Sequence, residues 1–586
     1  MNNVNVNGTS TALPTDAFKM ISLVTSANVQ ASTLTKDRTV AGRTGGMSIA
    51  ELIIFNTALS DSDRYAIETY LNEKYTLLDV PYKKWANSSA STWNTAGNWN
   101  PASVPTTVDY VLLTTNGLTV TQVPQITASA ANMRTLTIDS PCVANVLNTG
   151  VSTPLVQNMY GGLGPMINIT GTAGNISVTK VNFQLRTSGA LSIKSGTTLT
   201  LGNSYISQNG TQKLTLTGGG TLAFSGSSST KMTFTGGLDI ESGTLSASQN
   251  ASSVPAAGVI NFTNAEGVAG RITTVVSFSI EALAGGNSSS TITEGTSSVP
   301  QMTIIGSRNT VFGGKITGGL GVIHSGSGSL TLTASNDYTG GTMISLGTLI
   351  LGNGTTLNGS VAGNIVNDAA LVFANPLAQT YASVVSGAGS LTKRGAGTLT
   401  LSSAQTYTGA TRIEAGTLTI NVANGIHSNS LLTVDAGATF NMNNKNQVFS
   451  KLPLVAGALT TGTGVLKVEG AYSPGDDGVI TNLNYPCALT LRGTYKVDVT
   501  TSGECDTLAI NGDLDVSGLI VDVVDLDQLS LKKEYTIITY TGELASIGTR
   551  LASNVETKNP ILSVKIDPVA KTVKILSKGG TLVTFF

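Results

Sequence analysis

Carboxylates are the residues best placed to do chemistry in this chain. Asp476 and Asp477 adjoin, and Asp513, Asp515, Asp522, Asp525 and Asp527 crowd one short stretch. Paired carboxylates along a groove could serve as general acid and base on a polysaccharide. Clustered carboxylate oxygens could instead hold calcium. The first pair lies in a turn, Ser-Pro-Gly-Asp-Asp-Gly (473–478). The second group alternates with Leu, Val and Ile in DLDV and VDVVDLDQ. That alternation puts carboxylates on the solvent face of a half-buried strand. No EF-hand loop or G-G-x-G-x-D repeat accompanies them. His324 and His427 are the only histidines, and neither has an acidic partner nearby in sequence. G-x-S-x-G, Walker A and C-x-x-C signatures are missing. The expectation is a non-enzyme with no catalytic residue, no cofactor and no metal.

Trp85, Trp93 and Trp99 are the only tryptophans, and all lie in KWANSSASTWNTAGNWN. Two readings stand side by side. The rings form a platform that stacks on sugars, or they cap the open end of whatever follows. An uncovered sheet edge invites aggregation, which gives the cap its physical purpose.

The elements that would position these groups are strands. Of 586 residues, 66 are glycine, and only 11% are charged, against about 25% in average soluble domains. The formal net charge is -1, which provides no basic footprint for nucleic acid. Hydrophobic content of 40% argues against wholesale disorder. No run of about 18 apolar residues predicts a membrane span. The first twenty residues lack a charged start and an apolar core, unlike a signal peptide. A mature or partial exported chain is expected.

Between 111 and 470 a short signal recurs: Gly, then Thr, Ser or Ala, then apolar alternation. Examples begin at Gly196, Gly220, Gly243, Gly328, Gly347, Gly397, Gly416 and Gly437. No such unit buries a face alone, so the units must stack. The longest copy, GSGSLTLTASNDYTGGTMISLGTLILGN (326–353), aligns without gaps to GAGTLTLSSAQTYTGATRIEAGTLTINV (395–422). The offset is 69 residues, read as three rungs of roughly 23. Leu330/Leu399, Tyr338/Tyr407, Gly340/Gly409 and Leu349/Leu418 are among the identities.

The stretch GTLTLSSAQTYTGATRIEAGTLTI (397–420) resembles the autotransporter-associated β-strand repeat of bacterial passenger domains. That resemblance implies a right-handed parallel β-helix outside the cell. Residues 81–110, with the three tryptophans, resemble the opening of many secreted β-helix proteins.

Residues 1–80 differ. Met47–Phe55 reads as a strand, and Ser60 caps a helix whose Ile67, Tyr70, Leu71 and Tyr75 share one face. This segment resembles the closing part of a concanavalin-like (LamG-type) β-sandwich, whose family often binds carbohydrate or protein. Residues 471–586 read as a β-rich C-terminal region with a hairpin at 561–578. If rungs there hold 18–20 residues, Cys487 and Cys505 sit on adjacent rungs. Stacked Cα atoms about 4.8 Å apart would permit a disulfide, with two buried free thiols as the alternative.

The chain closes on Thr581, Leu582, Val583, Thr584, Phe585 and Phe586, an apolar strand after Gly-Gly. Such a strand could add to a neighbour's open sheet and join subunits head to tail. The last 110 or so residues are too few for a membrane barrel of the family's kind. The expected product is an all-β, extracellular or cell-surface structural protein, a homopolymer built through its ends. The alternative is a monomeric adhesin that binds glycans or a host surface.

Overall fold

The computed structural model describes residues 82–577 apart from 87–90, 108, 115–123, 126–130, 140–146, 149–154, 161–164, 171–175, 180, 204–205, 209–210, 226–231, 234, 248–257, 295–298, 476–477, 525–527, 529–532, 547–549 and 552–561. The sandwich-like segment 1–80 with its helix, Cys142, and the strand Thr581–Phe586 lie outside the described residues. The chain divides after Gly220 into two compact units, Met1–Gly220 and Thr221–Phe586.

In the first unit, Thr135–Asp139, Ile167–Ile169 and Gly189–Ile193 each alternate apolar and polar residues. Alternation suits a strand with one buried face. The strands pair in parallel, so that Leu136 lies on Ile167, Ile167 on Leu191 and Leu191 on Leu216. All four are buried. A second sheet pairs Ile176–Thr179 with Thr198–Gly202, and a third pairs Leu155–Met159 with Val181–Leu185 and Ile206–Gln208. The chain visits the three sheets in turn, and one circuit is one rung of a parallel β-solenoid. The first strand, Tyr82–Trp85, pairs antiparallel with Trp99–Asn100 and parallel with Tyr110–Thr114.

The second unit repeats this plan. On its first face Leu330 pairs with Leu349, Leu349 with Leu371 and Leu371 with Leu391. On the second, Leu399, Leu418, Phe440 and Leu459 stack in order. On the third, Val322, Thr342, Ile365 and Val385 do so. Parallel rungs run on past residue 470, carrying Leu466, Leu489, Leu514 and Leu544 in one ladder. Antiparallel pairing enters with the expected hairpin, Leu562–Asp567 against Thr572–Ser577, which docks antiparallel on Tyr535–Tyr540. Lys565 is exposed on its outer strand, a charge of the kind that blunts edge pairing.

The 69-residue alignment does not mark three whole rungs. Three rungs on from Leu330 stands Leu391, whereas its sequence equivalent Leu399 begins the next face. The second copy is therefore turned by one face relative to the first. Each copy is three strands, the third stacked on the first, but the first copy starts and ends on one face and the second copy on the next.

The corners explain the shared tyrosines and glycines. Tyr338 Oη bonds Thr342 Oγ1 at 2.7 Å, and Tyr407 Oη bonds Thr411 Oγ1 at 2.5 Å, each pair buried. Between them, Gly340 and Gly409 pass so close to the backbone of the rung below that a Cβ would overlap it.

Each inward leucine touches its own column above and below, so truncation leaves a cavity between rungs. Leu371→Ala should cost about 2–5 kcal/mol. Thr433→Ala, on the outward side, should stay within about 0.5 kcal/mol. Urea unfolding of both variants measures the difference.

Candidate functional site

The three tryptophans are brought together and buried. Trp85 and Trp93 both meet Trp99 edge to face, with ring centroids 5.0 and 4.6 Å away. Trp99 Nε1 donates to the Trp93 carbonyl at 2.8 Å. A sugar platform needs an open ring face, and these faces are spent on packing at the first strand pairings of the solenoid. Among the described residues Tyr160 is the one aromatic among the exposed large hydrophobic side chains.

Cys487 and Cys505 are not joined: both are buried free thiols. The expected rung of 18–20 residues is the reason. Here Asn482 pairs with Thr507 and Leu489 with Leu514, which sets Cys487 beside Gly512 rather than Cys505. Cys505 faces Val499 and donates to the Thr536 carbonyl at 3.4 Å. Burial pushes the Cys487 thiol up to about 11 and, with Asp506 adding to it, the Cys505 thiol up to about 12.

Asp498 and Asp506, which sequence reasoning missed, fasten the corner that lengthens this rung. Asp506 accepts the Thr481 and Asp498 amides at 2.7 and 2.9 Å, and Asp498 accepts the Gly478 amide at 3.0 Å. Both carboxylates are buried, and burial raises Asp506 above the ordinary carboxylate range, with Asp498 adding to it. Their role is to hold a hairpin, closed by the Val499–Cys505 bridge, against the preceding loop.

The carboxylates that drew attention in sequence are dispersed. Asp515 accepts the Ser517 amide, Asp513 accepts the Glu543 amide, and Asp522 pairs in register with Lys496. Asp476, Asp477, Asp525 and Asp527 lie outside the described residues. His324 points inward, its Nε2 3.0 Å from the Gly328 carbonyl, and burial lowers its pKa against that bond. His427 Nδ1 accepts the Asn429 amide. Among the described residues no three His, Cys, Asp or Glu side chains gather as a metal site.

What the interior does contain is a set of polar groups that replace missing strand bonds. Asn336 Oδ1 accepts the Ile316 amide, Gln405 Oε1 the Val385 amide and Gln447 Oε1 the Ile426 amide, at 2.7–3.1 Å. Gln447 Nε2 also donates to the Ile426 carbonyl, so one side chain copies a whole peptide group. Lys393 stands in an apolar column between Phe373 and Ile413. Its ammonium donates to the carbonyls of Arg394, Gly395 and Ala415, and burial brings its pKa down to about 8.

Comparison with known proteins fits this architecture. The model of the passenger-associated-transport-repeat family matches residues 214–247, 323–351 and 391–420. Two of the matched segments coincide with the aligned copies. The adhesin BmaC autotransporter of Brucella suis biovar 1 (strain 1330) is 48% identical over 101 residues, 17% of this chain. The chain spans 3% of the length of that relative. No solved structure matches.

Lys393 gives the fold a distinct alkaline response. Its folded pKa lies near 8 and its ordinary value is 10.5, so the unfolded chain binds more protons between these limits. Stability should therefore rise with pH across that window. Tyr338 and Tyr407, raised by burial, oppose it once pH passes 10. The buried Cys487 and Cys505 thiols oppose it already near pH 9, so the readout is a difference. Denaturation at pH 7.5 and 9.5, a range set by the shifts above, should show the native chain gaining stability relative to Lys393→Met.

Proposed function

We propose that this chain is a non-enzymatic, adhesin-like passenger displayed at the bacterial surface or outside the cell. The observation that carries this reading is the coincidence of the passenger-repeat matches with rungs of the solenoid in the second unit. Likeness to an autotransporter adhesin supports the same conclusion. Dispersed carboxylates and a buried, neutral-leaning His324 offer no acid–base pair among the described residues. Contacts with a host or cell surface would be made by the outward side chains of the rungs, because the inward ones are spent on the core. Trp85, Trp93 and Trp99 are buried, so the reading assigns them to the cap and looks to other outward side chains for glycan contacts.

Coating fluorescent beads with the purified chain tests the reading on cultured host cells. Saturable binding that soluble chain competes away is expected. Binding no greater than that of albumin-coated beads across epithelial, endothelial and matrix surfaces would overturn it.

The finer proposal adds that subunits join head to tail through Thr581–Phe586. Its support is the apolar sequence of that segment. Electron microscopy should then show polymers for the intact chain and dispersed single molecules after removal of residues 579–586. Polymers that survive the truncation would rule this joint out.

A further inference from the structure

Asp498 and Asp506 are the two carboxylates buried among the described residues, and they share one corner. Tyr472 pairs in register with Tyr495, and both rings are buried and stacked. Val497 and Val499 are buried as well. Strand alternation therefore turns Ser473 and Asp498 to the side opposite these rings. That side is covered by the chain between Gly475 and Thr481. Gly475 comes so close to Thr481 that a Cβ there would overlap its hydroxyl. The covering chain meets solvent on its far side, where Val479 is 55% exposed.

The two acids are unequally satisfied. Asp506 accepts an amide on each oxygen, from Thr481 at 2.7 Å and from Asp498 at 2.9 Å. Asp498 accepts the Gly478 amide on Oδ2 alone, at 3.0 Å. Its Oδ1 has no partner, on a side chain only 1% exposed. Ser473 Oγ is also buried without a partner. A buried carboxylate with no counter-charge is costly, and two adjoining ones repel. Among the described residues no Lys, Arg or His forms an ion pair with either acid. Lys496, the nearest cation in sequence, stands in register with Asp522. A shared proton would need a bond between carboxyl oxygens, whereas these acids are joined through the Asp498 amide.

We propose that this corner binds a calcium ion, with Asp498 Oδ1 as its charged ligand and Ser473 Oγ as a neutral one. Calcium takes hard oxygen ligands, accepts irregular shells and completes them with water. Magnesium suits the corner less, because it demands near-octahedral geometry. The ion would fasten the covering chain to the hairpin that begins at Asp498. This site is separate from the adhesive reading above and stands without it.

Chain stripped with EDTA should take up calcium saturably at about 10⁻⁴–10⁻³ M, the range of extracellular modules. Calorimetric titration measures the uptake, and the melting temperature should rise with it. Terbium, an oxygen-seeking surrogate, should luminesce when tyrosine is excited, and calcium should displace it. Asp498→Asn keeps the shape without the charge, so it should lose uptake and luminescence while circular dichroism stays native. Ser473→Ala should weaken uptake severalfold. Asp337→Asn, at an exposed acid of another rung, should retain both signals. A native chain that takes up no calcium overturns the proposal, whether or not the variants fold. So does a folded Asp498→Asn that binds as the native chain does, or a loss that follows Asp337→Asn instead. Native stability that rises in acid and ignores calcium also overturns it and assigns the pair a shared proton.

Discussion

Register between rungs is the constraint on which the rest of this molecule depends. Parallel strands about 4.8 Å apart place every side chain directly over its counterpart one circuit earlier. A residue is thus selected less by its chain neighbours than by the column it joins. The leucine columns through Leu330, Leu349, Leu371 and Leu391 show the favourable case, with dry contact above and below each member. A register slip of one residue would turn each such column out to solvent, which makes the pairing self-correcting.

The same constraint governs charge. Like charges in one column would face each other within about 5 Å and repel. Opposite charges meet between rungs here: Arg394 bonds Glu414 and Arg412 bonds Asp435 on successive rungs. Those pairs are largely exposed and each contributes little to stability. Their use is to let charge exist on a column at all. Inside, an interrupted strand leaves backbone amides without partners, and buried orphans of that kind are costly. Asn336, Gln405 and Gln447 solve this with side-chain amides, and Asp498 and Asp506 solve it with carboxylates. The interior polar groups are therefore repairs to the ladder, which explains why they gather no catalytic geometry.

Legibility in the sequence follows from this division. Alternating leucines at Gly-Thr-Leu signals revealed the rungs, since period-two burial is a local property of about five residues. The hairpin at 561–578 was legible for the same reason. What could not be read was anything requiring the rung's length to be known. Cys487 and Cys505 were expected on adjacent rungs, but the hairpin closed by Val499 and Cys505 lengthens the circuit and moves their partners. The aligned copies were expected to lie over one another, yet Leu330 and Leu399 occupy different faces. Corner insertions change rung length without disturbing strand patterns, so they leave no periodic trace. Lys393 and Asp506 were invisible for a related reason, because a polar residue in an inward position is recognisable only once its column is known.

Separation of core from surface also decides where function can reside. In a globular enzyme, inward and outward residues share a cleft, and folding and chemistry compete for the same positions. In this solenoid the inward columns carry the stability, and among the described residues they hold no gathered acids or metal ligands. The outward columns are nearly free of that burden, since replacing one threonine by another small polar group leaves the ladder intact. Threonine columns such as Thr398, Thr417 and Thr439 suit these positions, because a β-branched side chain favours the strand and carries no charge to repel its column neighbours. Regular spacing along the column supplies a two-dimensional pattern that no single site could offer.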